Sequence, residues 1–339
     1  ALTQQTGAWD NSLELVMVEG GACHDGVSLP LGTLRLPALR AEGEDKFARR
    51  VAKMLRGAEW AAHPGQTLYL VGGSLRALAR FAMVEQNWPI DDPHAYTMSG
   101  ADALAMTRRL ADLVRMGGTV APIAGVSPSR LASLPEAGAL LGVLVRELQP
   151  ARVVFSGWGL REGLLAAGMD AQTAAMDPLL AGVAAFAEAQ HAGLAKAGET
   201  VADWTAAVAG EALEGHVRLA ATMLALASLT AEPNLRAEQS VQWALRKRWL
   251  GVDDKGRAMM AMAVLANSGR VAIPADLERR APAGSLQQAV GWGLAMRLAR
   301  RFSGGSGEAL NGSRLRVEGD ALVLELVQAL AALYTDAVA

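Results

Sequence analysis

The chain has 339 residues and a mass of 35.4 kDa, enough for two domains that each bury a core. Hydrophobic residues make up 51% and charged residues 19%, which excludes a disordered segment, and the prevalence of alanine and leucine favours helix. Lys+Arg 32 against Asp+Glu 34 leaves a net charge of -2, so no overall basic field draws in nucleic acid or an anionic membrane, and any anion site has to be local.

In chain order, Ser12 to Val18 alternates around Leu13, Leu15 and Met17, Gly20-Gly21 supplies a turn, and Val27 to Leu36 extends again, which predicts a hairpin. From Glu44 the positions Phe47, Val51, Met54 and Leu55 share one helical face, and Gly57 closes the element. Thr67 to Val71 reads as a short buried strand, Gly72-Gly73-Ser74 as a tight turn and Leu75 to Phe81 as the helix it opens. Ser99 stands at an N-cap position with Asp102 three residues on. Arg152 to Ser156 forms another strand-like run, followed by Gly157, Gly159 and a short helix. This alternation predicts a parallel-containing sheet covered by helices over residues 1–168.

Beyond Asp170 the strand signals vanish. Asp177-Pro178 predicts a helix start, the apolar run Leu219 to Leu229 a buried helix, and Gly193, Gly198, Gly210 and Gly215 breaks, giving an all-helical region over 169–302. Ser303 to Gly307 reads as a flexible connection, and Arg314 to Val317 with Ala321 to Leu326 as a hairpin, in a C-terminal region over 303–339. The sequence opens at Ala1 without a basic-then-apolar leader, and its apolar runs are too short to span a bilayer. Its one cysteine, Cys23, excludes an intrachain disulfide and a cysteine-built zinc site, as befits a cytoplasmic protein.

Gly72, Gly73 and Ser74 at a strand-to-helix junction suit a phosphate held by backbone N–H groups and the helix dipole, with Arg76 as counter-charge. The plainer reading is a turn that needs small residues. Arg161 and Glu162, after Gly159, either line a cleft or pair with each other and cap a helix, and the structural role is favoured. His24, His63, His94, His191 and His216 are scattered without ligand spacing, so no metal site is expected, and His24-Asp25 falls in a hairpin turn. Arg246, Lys247 and Arg248, flanked by Trp243, Leu245, Trp249 and Leu250, read as the solvated face of an amphipathic helix.

Several strings taken together resemble the exopolyphosphatase and guanosine pentaphosphate phosphohydrolase (Ppx/GppA) family. They are SLPLGTLRL (Ser28 to Leu36), YLVGGSLRALAR (Tyr69 to Arg80), GVSPSRLASLPEAGALL (Gly125 to Leu141) and SGWGLREGLL (Ser156 to Leu165). AEPNLRAEQSVQWAL (Ala231 to Leu245) and GWGLAMRLARRFSGG (Gly291 to Gly305) resemble its HD-related helical domain and C-terminal region. The resemblance implies an actin, sugar kinase and heat-shock ATPase-like (ribonuclease H-like) α/β lobe followed by a helical domain. It implies hydrolysis of phosphoanhydrides in polyphosphate or guanosine pentaphosphate, with magnesium in an intact relative.

Carried over residue by residue, the resemblance assigns phosphate contacts to Gly72, Gly73, Ser74, Arg76, Ser12 and Glu14, and a cleft-lining position to Gly159, Arg161 and Glu162. The departures are several. The similarity begins after the family's amino-terminal lobe, which supplies one phosphate loop and the glutamate that serves as general base. At the head of the second lobe the string is GAWDNSLEL, where Gly7 replaces an aspartate and Trp9, Asp10 and Asn11 replace three glycines, so the phosphate loop reads as dismantled. Ala132 follows Arg130 where the family has aspartate, and Leu226 and Glu232 stand where relatives show Asp and His. The expectation is therefore a pseudoenzyme: no catalytic residue is assigned, no metal is expected on this chain alone, and the module binds a phosphate ligand or dimerises. The alternative is an active exopolyphosphatase once a separate amino-terminal lobe completes the cleft. A homodimer or such a complementary lobe is the expected partner.

Overall fold

The computed structural model describes residues 2–8, 12–58, 64–208, 214–319, 321–335 and 338, the first of these segments through its backbone. The chain divides into two compact units, one up to Met169 and one from Asp170 onward.

In the first unit, period-two alternation in β2 (Leu13–Glu19) buries Leu13, Leu15 and Met17. Gly20 and Gly21 both take positive φ, 57° and 84°, the geometry of a tight hairpin turn into β3 (Ala22–Leu29). β1 (Leu2–Ala8) precedes this hairpin and pairs antiparallel with β2. On its other side it runs parallel to β4 (Thr67–Val71), which is parallel to β6 (Arg152–Ser156), and β5 (Thr97–Ser99) closes the edge antiparallel to β6. The order is β3-β2-β1-β4-β6-β5. The central strands are apolar, with Leu68, Leu70, Val153 and Phe155 fully buried. Each such side chain contributes about 1.5–3 kcal/mol relative to exposure.

The strand foreseen to continue to Leu36 ends at Leu29 instead. Leu36 opens a short helix, α1 (Leu36–Arg40), because Pro37 suits the first turn of a helix and cannot donate to a sheet. Helix α2 (Glu44–Arg56) buries Phe47, Val51 and Leu55 and is capped by Gly57. The remaining helices of the unit are α3 (Gly73–Glu85), α4 (Gly100–Arg115), α5 (Pro128–Ala132), α6 (Leu134–Leu148) and α7 (Leu160–Ala167). Ser99 caps α4, its Oγ accepting from the Asp102 N–H at 3.0 Å. Apolar α6 is buried against α2 and α4, and Gly138 sets its distance from α4: a Cβ there would lie 2.8 Å from Leu110 Cδ2. His24 and Asp25 lie within β3 rather than in its turn.

The second unit holds α8 (Ala171–Ala174), α9 (Pro178–Gln190), α10 (Leu194–Trp204), α11 (Gly215–Ala227), α12 (Arg236–Arg246), α13 (Asp254–Asn267), α14 (Ala275–Glu278), α15 (Ala283–Ser303) and α16 (Gly307–Asn311). An antiparallel hairpin follows, β7 (Ser313–Glu318) and β8 (Ala321–Leu326). Asp177 caps α9 through the Leu179 and Leu180 N–H groups at 2.8 and 3.1 Å, with Pro178 at the first helical position.

Helix α13 is buried on all sides from Ala258 to Leu265 and packs on α15 through small residues. A Cβ on Gly293 of α15 would fall 2.2 Å from the Ala263 carbonyl oxygen and 2.5 Å from Ala266 Cβ, so the two backbones approach more closely than any other residue permits. Gly198 is likewise no break: it sits inside α10, where a Cβ would meet Met223 Cγ at 2.7 Å.

Two further expectations are corrected here. The connection Ser303 to Gly307 is a capped turn between helices. Gly304 closes α15 in the left-handed region (φ 59°), its N–H bonded to the Arg300 carbonyl, and Ser306 caps α16. Arg246 is the last residue of α12 and Lys247 and Arg248 follow the helix, so the three do not share a helical face. Lys247 Nζ instead lies 4.4 Å from the Phe186 ring centroid. Gly210 and His63 lie outside the described residues, as do Trp9, Asp10 and Asn11 of the loop read as dismantled.

Candidate functional site

Two of the parallel strands, β4 and β6, are each followed by a glycine turn and a helix at their carboxyl ends, where open α/β sheets form their crevices. After β4, Gly72 takes φ 129°, which only glycine adopts freely, and becomes the N-cap of α3. After β6 the chain passes through Gly157, Trp158 and Gly159 into α7. The two turns line one cavity of about 820 Å³ together with Thr33 and Leu34, which follow β3, and with the segment around α5.

This cavity brings Gly72, Gly73, Ser74, Arg76, Gly159, Arg161 and Glu162 together. Ser12 and Glu14 are not among its lining residues. They face each other on the sheet, where Glu14 Oε1 accepts from Ser12 Oγ and from Ser28 Oγ, each at 2.8 Å. The Ser28 hydrogen bond links β3 to β2 through the Glu14 carboxylate.

Three guanidinium groups stand at the cavity. Arg76 donates from Nη1 to the Gly157 carbonyl at 2.8 Å and so ties the first turn of α3 to the loop after β6. Arg130 lies against the backbone at Gly73, with Nε 2.9 Å from where a Cβ would be. Neither Arg130 nor Arg161 forms a side-chain hydrogen bond with a described residue. Against these stands, among the described residues, one carboxylate. Glu162 Oε2 accepts from the Gly159 N–H at 2.7 Å and caps α7. That hydrogen bond, then the residue's own N–H, and then the charges of Arg161 and Arg76 hold the Glu162 carboxyl below the usual carboxylate range. The N-termini of α3 and α7 therefore meet three cations and one carboxylate that is already satisfied, a balance that suits an anion.

Among the described residues the one carboxylate lining the cavity is the capping group Glu162, and no three His, Cys, Asp or Glu side chains converge.

Arg130 and His94 are the contributors that sequence reasoning missed. The only signal for Arg130 was its place in the string GVSPSRLASLPEAGALL; nothing local marks a residue that reaches Gly73 from a distant helix. His94 lay among the scattered histidines. Its Nδ1 is 3.1 Å from the Gly157 N and its Nε2 3.0 Å from Trp158 Nε1, with the rings edge to face at 5.7 Å, so it seats the loop that carries Gly159.

With this architecture in view, residues 11–172 match the sequence model of the Ppx/GppA phosphatase family, which covers the greater part of the α/β unit and its cavity. The matched residues make up a little under half of the chain, and through that segment the chain is similar to the Ppx/GppA phosphatase family. Solved structures similar to the chain include the Ppx/GppA phosphatase of Aquifex aeolicus in its type II variant, at 18% identity and TM-score 0.40, covering 50% of this chain and 57% of that one. Another Aquifex aeolicus PPX-GPPA enzyme structure has 20% identity and TM-score 0.39, covering 49% and 56%. An exopolyphosphatase from Cytophaga hutchinsonii has 16% identity and TM-score 0.39, covering 48% and 55%. The matched region thus amounts to a little over half the length of each of these relatives. No curated protein matches the chain.

Proposed function

We propose that the cavity at the ends of β4 and β6 binds a phosphate-bearing anion, polyphosphate or a guanosine polyphosphate, and that this chain alone is a non-catalytic binding or dimerisation module. The observation that carries this reading is the balance of charge at the cavity among the described residues: Arg76, Arg130 and Arg161 with one carboxylate, which is bonded to the Gly159 N–H. The similarity of residues 11–172 to a phosphatase family supports the choice of phosphate over other anions. Phosphoryl transfer also needs a carboxylate placed to orient water, and Glu162 is occupied as a helix cap.

Leu34, Leu160 and Leu164 at the cavity rim are 57–69% exposed, and such an apolar rim favours a covering partner, a second copy or a complementary lobe. If a complementary lobe is the partner, the second reading holds and the pair is an active exopolyphosphatase. We place the protein in the cytoplasm and read the second unit as HD-related. No helix among the described residues is long and apolar enough to cross a membrane.

Calorimetric titration with polyphosphate, guanosine tetraphosphate and guanosine pentaphosphate, with magnesium present and phosphate release followed in the same samples, tests both readings. Binding without release is expected, and Arg76→Ala is expected to weaken it about tenfold without a fold defect. Unchanged affinity in that variant removes the cavity from consideration, and release by the chain alone overturns the non-catalytic reading.

A further inference from the structure

Phe186, Trp243 and Trp249 form an aromatic corner in the helical unit. The Phe186 ring stands edge to face against both indoles, with centroids 5.0 Å from Trp243 at 73° and 5.7 Å from Trp249 at 72°. Lys247 Nζ sits in this corner, 4.4 Å from the Phe186 centroid and 5.4 Å from that of Trp249. Two other lysines of the unit are held by carboxylates, Lys196 by Glu199 at 2.9 Å and Lys255 by Glu214. Lys247 enters no such pair among the described residues, and its ammonium meets the two rings instead.

The corner is built without the lysine side chain. Trp249 Nε1 donates to the Trp243 carbonyl at 2.9 Å, which fixes the plane of its indole against α12. The buried guanidinium of Arg257 donates to three carbonyls of the same segment, those of Leu245 at 3.2 Å, Lys247 at 2.5 Å and Trp249 at 3.3 Å. Alternate carbonyls gathered on one fork set the path of the chain from the end of α12 to Trp249. The Lys247 side chain is exposed and hangs on a flexible four-carbon stem, so it is the movable part of an otherwise preformed arrangement.

An ammonium group is strongly hydrated and carries three N–H donors, for which an aromatic face is a poorer acceptor than water. A quaternary ammonium has the same charge, no N–H group to desolvate and more apolar surface, and it is the cation that aromatic cages recognise. We infer that Phe186, Trp243 and Trp249 form a site for a quaternary ammonium group, separate from the β4 and β6 cavity, which Lys247 occupies until such a cation displaces it. Free choline and the choline headgroup of a lipid share this chemistry.

The test on the unaltered full chain is limited acetylation of lysines, read residue by residue by mass spectrometry, with tetramethylammonium chloride or with sodium chloride at the same ionic strength. Tetramethylammonium is expected to speed acetylation of Lys247 severalfold and to leave Lys46, Lys53 and Lys196 unchanged. No acceleration, or the same acceleration in sodium chloride, overturns the inference. In Lys247→Ala the indole N–H resonances of Trp243 and Trp249 are expected to shift with tetramethylammonium at about tenfold lower concentration than in the parent chain, and the further change Phe186→Leu to abolish the shift. Equal affinity in Lys247→Ala and the parent overturns Lys247 as the occupant. Free choline and phosphatidylcholine vesicles then separate the two sources: the same indole shifts with choline assign a small cation, and cosedimentation with the vesicles without a response to free choline assigns a headgroup. Because the acetylation uses the unaltered chain, the inference stays testable even if the variants do not fold.

Discussion

Glycine has opposite effects in the two units. At the cavity of the α/β unit, Gly73 puts no Cβ at a helix N-terminus, and Arg130 Nε lies 2.9 Å from where one would stand. In the helical unit, Gly293 brings the backbones of α13 and α15 together until no atom fits between them. The first holds space open beside a mobile side chain, and the second removes space between two rigid elements. A glycine therefore indicates function or packing according to what a methyl group would meet.

That contrast is sharpest under substitution. Gly293→Ala drives a methyl into the Ala263 carbonyl and is expected to destabilise the helical unit by about 3 kcal/mol or more, read as a loss of denaturation midpoint. Asp254→Ala tests the same unit through charge. Arg280 has a fully buried side chain paired with a carboxylate that is 17% exposed, and losing that charged hydrogen bond is expected to cost about 2 kcal/mol by the same measurement. Gly73→Ala meets only the movable head of Arg130. Stability is expected to stay within about 0.5 kcal/mol of the parent while calorimetric affinity for polyphosphate falls. A loss of stability comparable with that of Gly293→Ala would break the comparison.

The smallest effect is a titration. Hydrogen bonding lowers the Glu162 pKa in the folded chain, so its contribution is present above the pH range in which an unfolded glutamate titrates and is lost as pH falls through the lower, folded value. The Gly159 amide resonance is expected to titrate with a midpoint below about 4.3, the value for free glutamate. A midpoint at or above that value would show that the cap does not hold in solution.

Much of this architecture is legible in the sequence where a local rule suffices. The strand of Thr67 to Val71 with its glycine turn, the Ser99 and Asp177 caps and the Ala321 to Leu326 strand follow from spacing and from single side chains. Elements that depend on distant partners are not legible. β1 reads LTQQTGA, with no apolar alternation, and is a strand because β2 and β4 flank it. Leu34 to Leu36 alternates like a strand, yet the proline at position 37 starts α1. Of the cavity, the two glycine turns are evident in the sequence, whereas Arg130 and His94 reach their places from remote segments.

The close seating of α15 on α13 also bears on how the helical unit opens. Amide protons from Ala258 to Ala266 sit in a helix enclosed on every side, and the contact at Gly293 leaves no room for water to enter between the two backbones. Their hydrogen exchange has to pass through separation of the helix pair, so this stretch forms the slowest-exchanging part of its unit, and its exchange rate reports the global unfolding free energy of that unit rather than a local fluctuation.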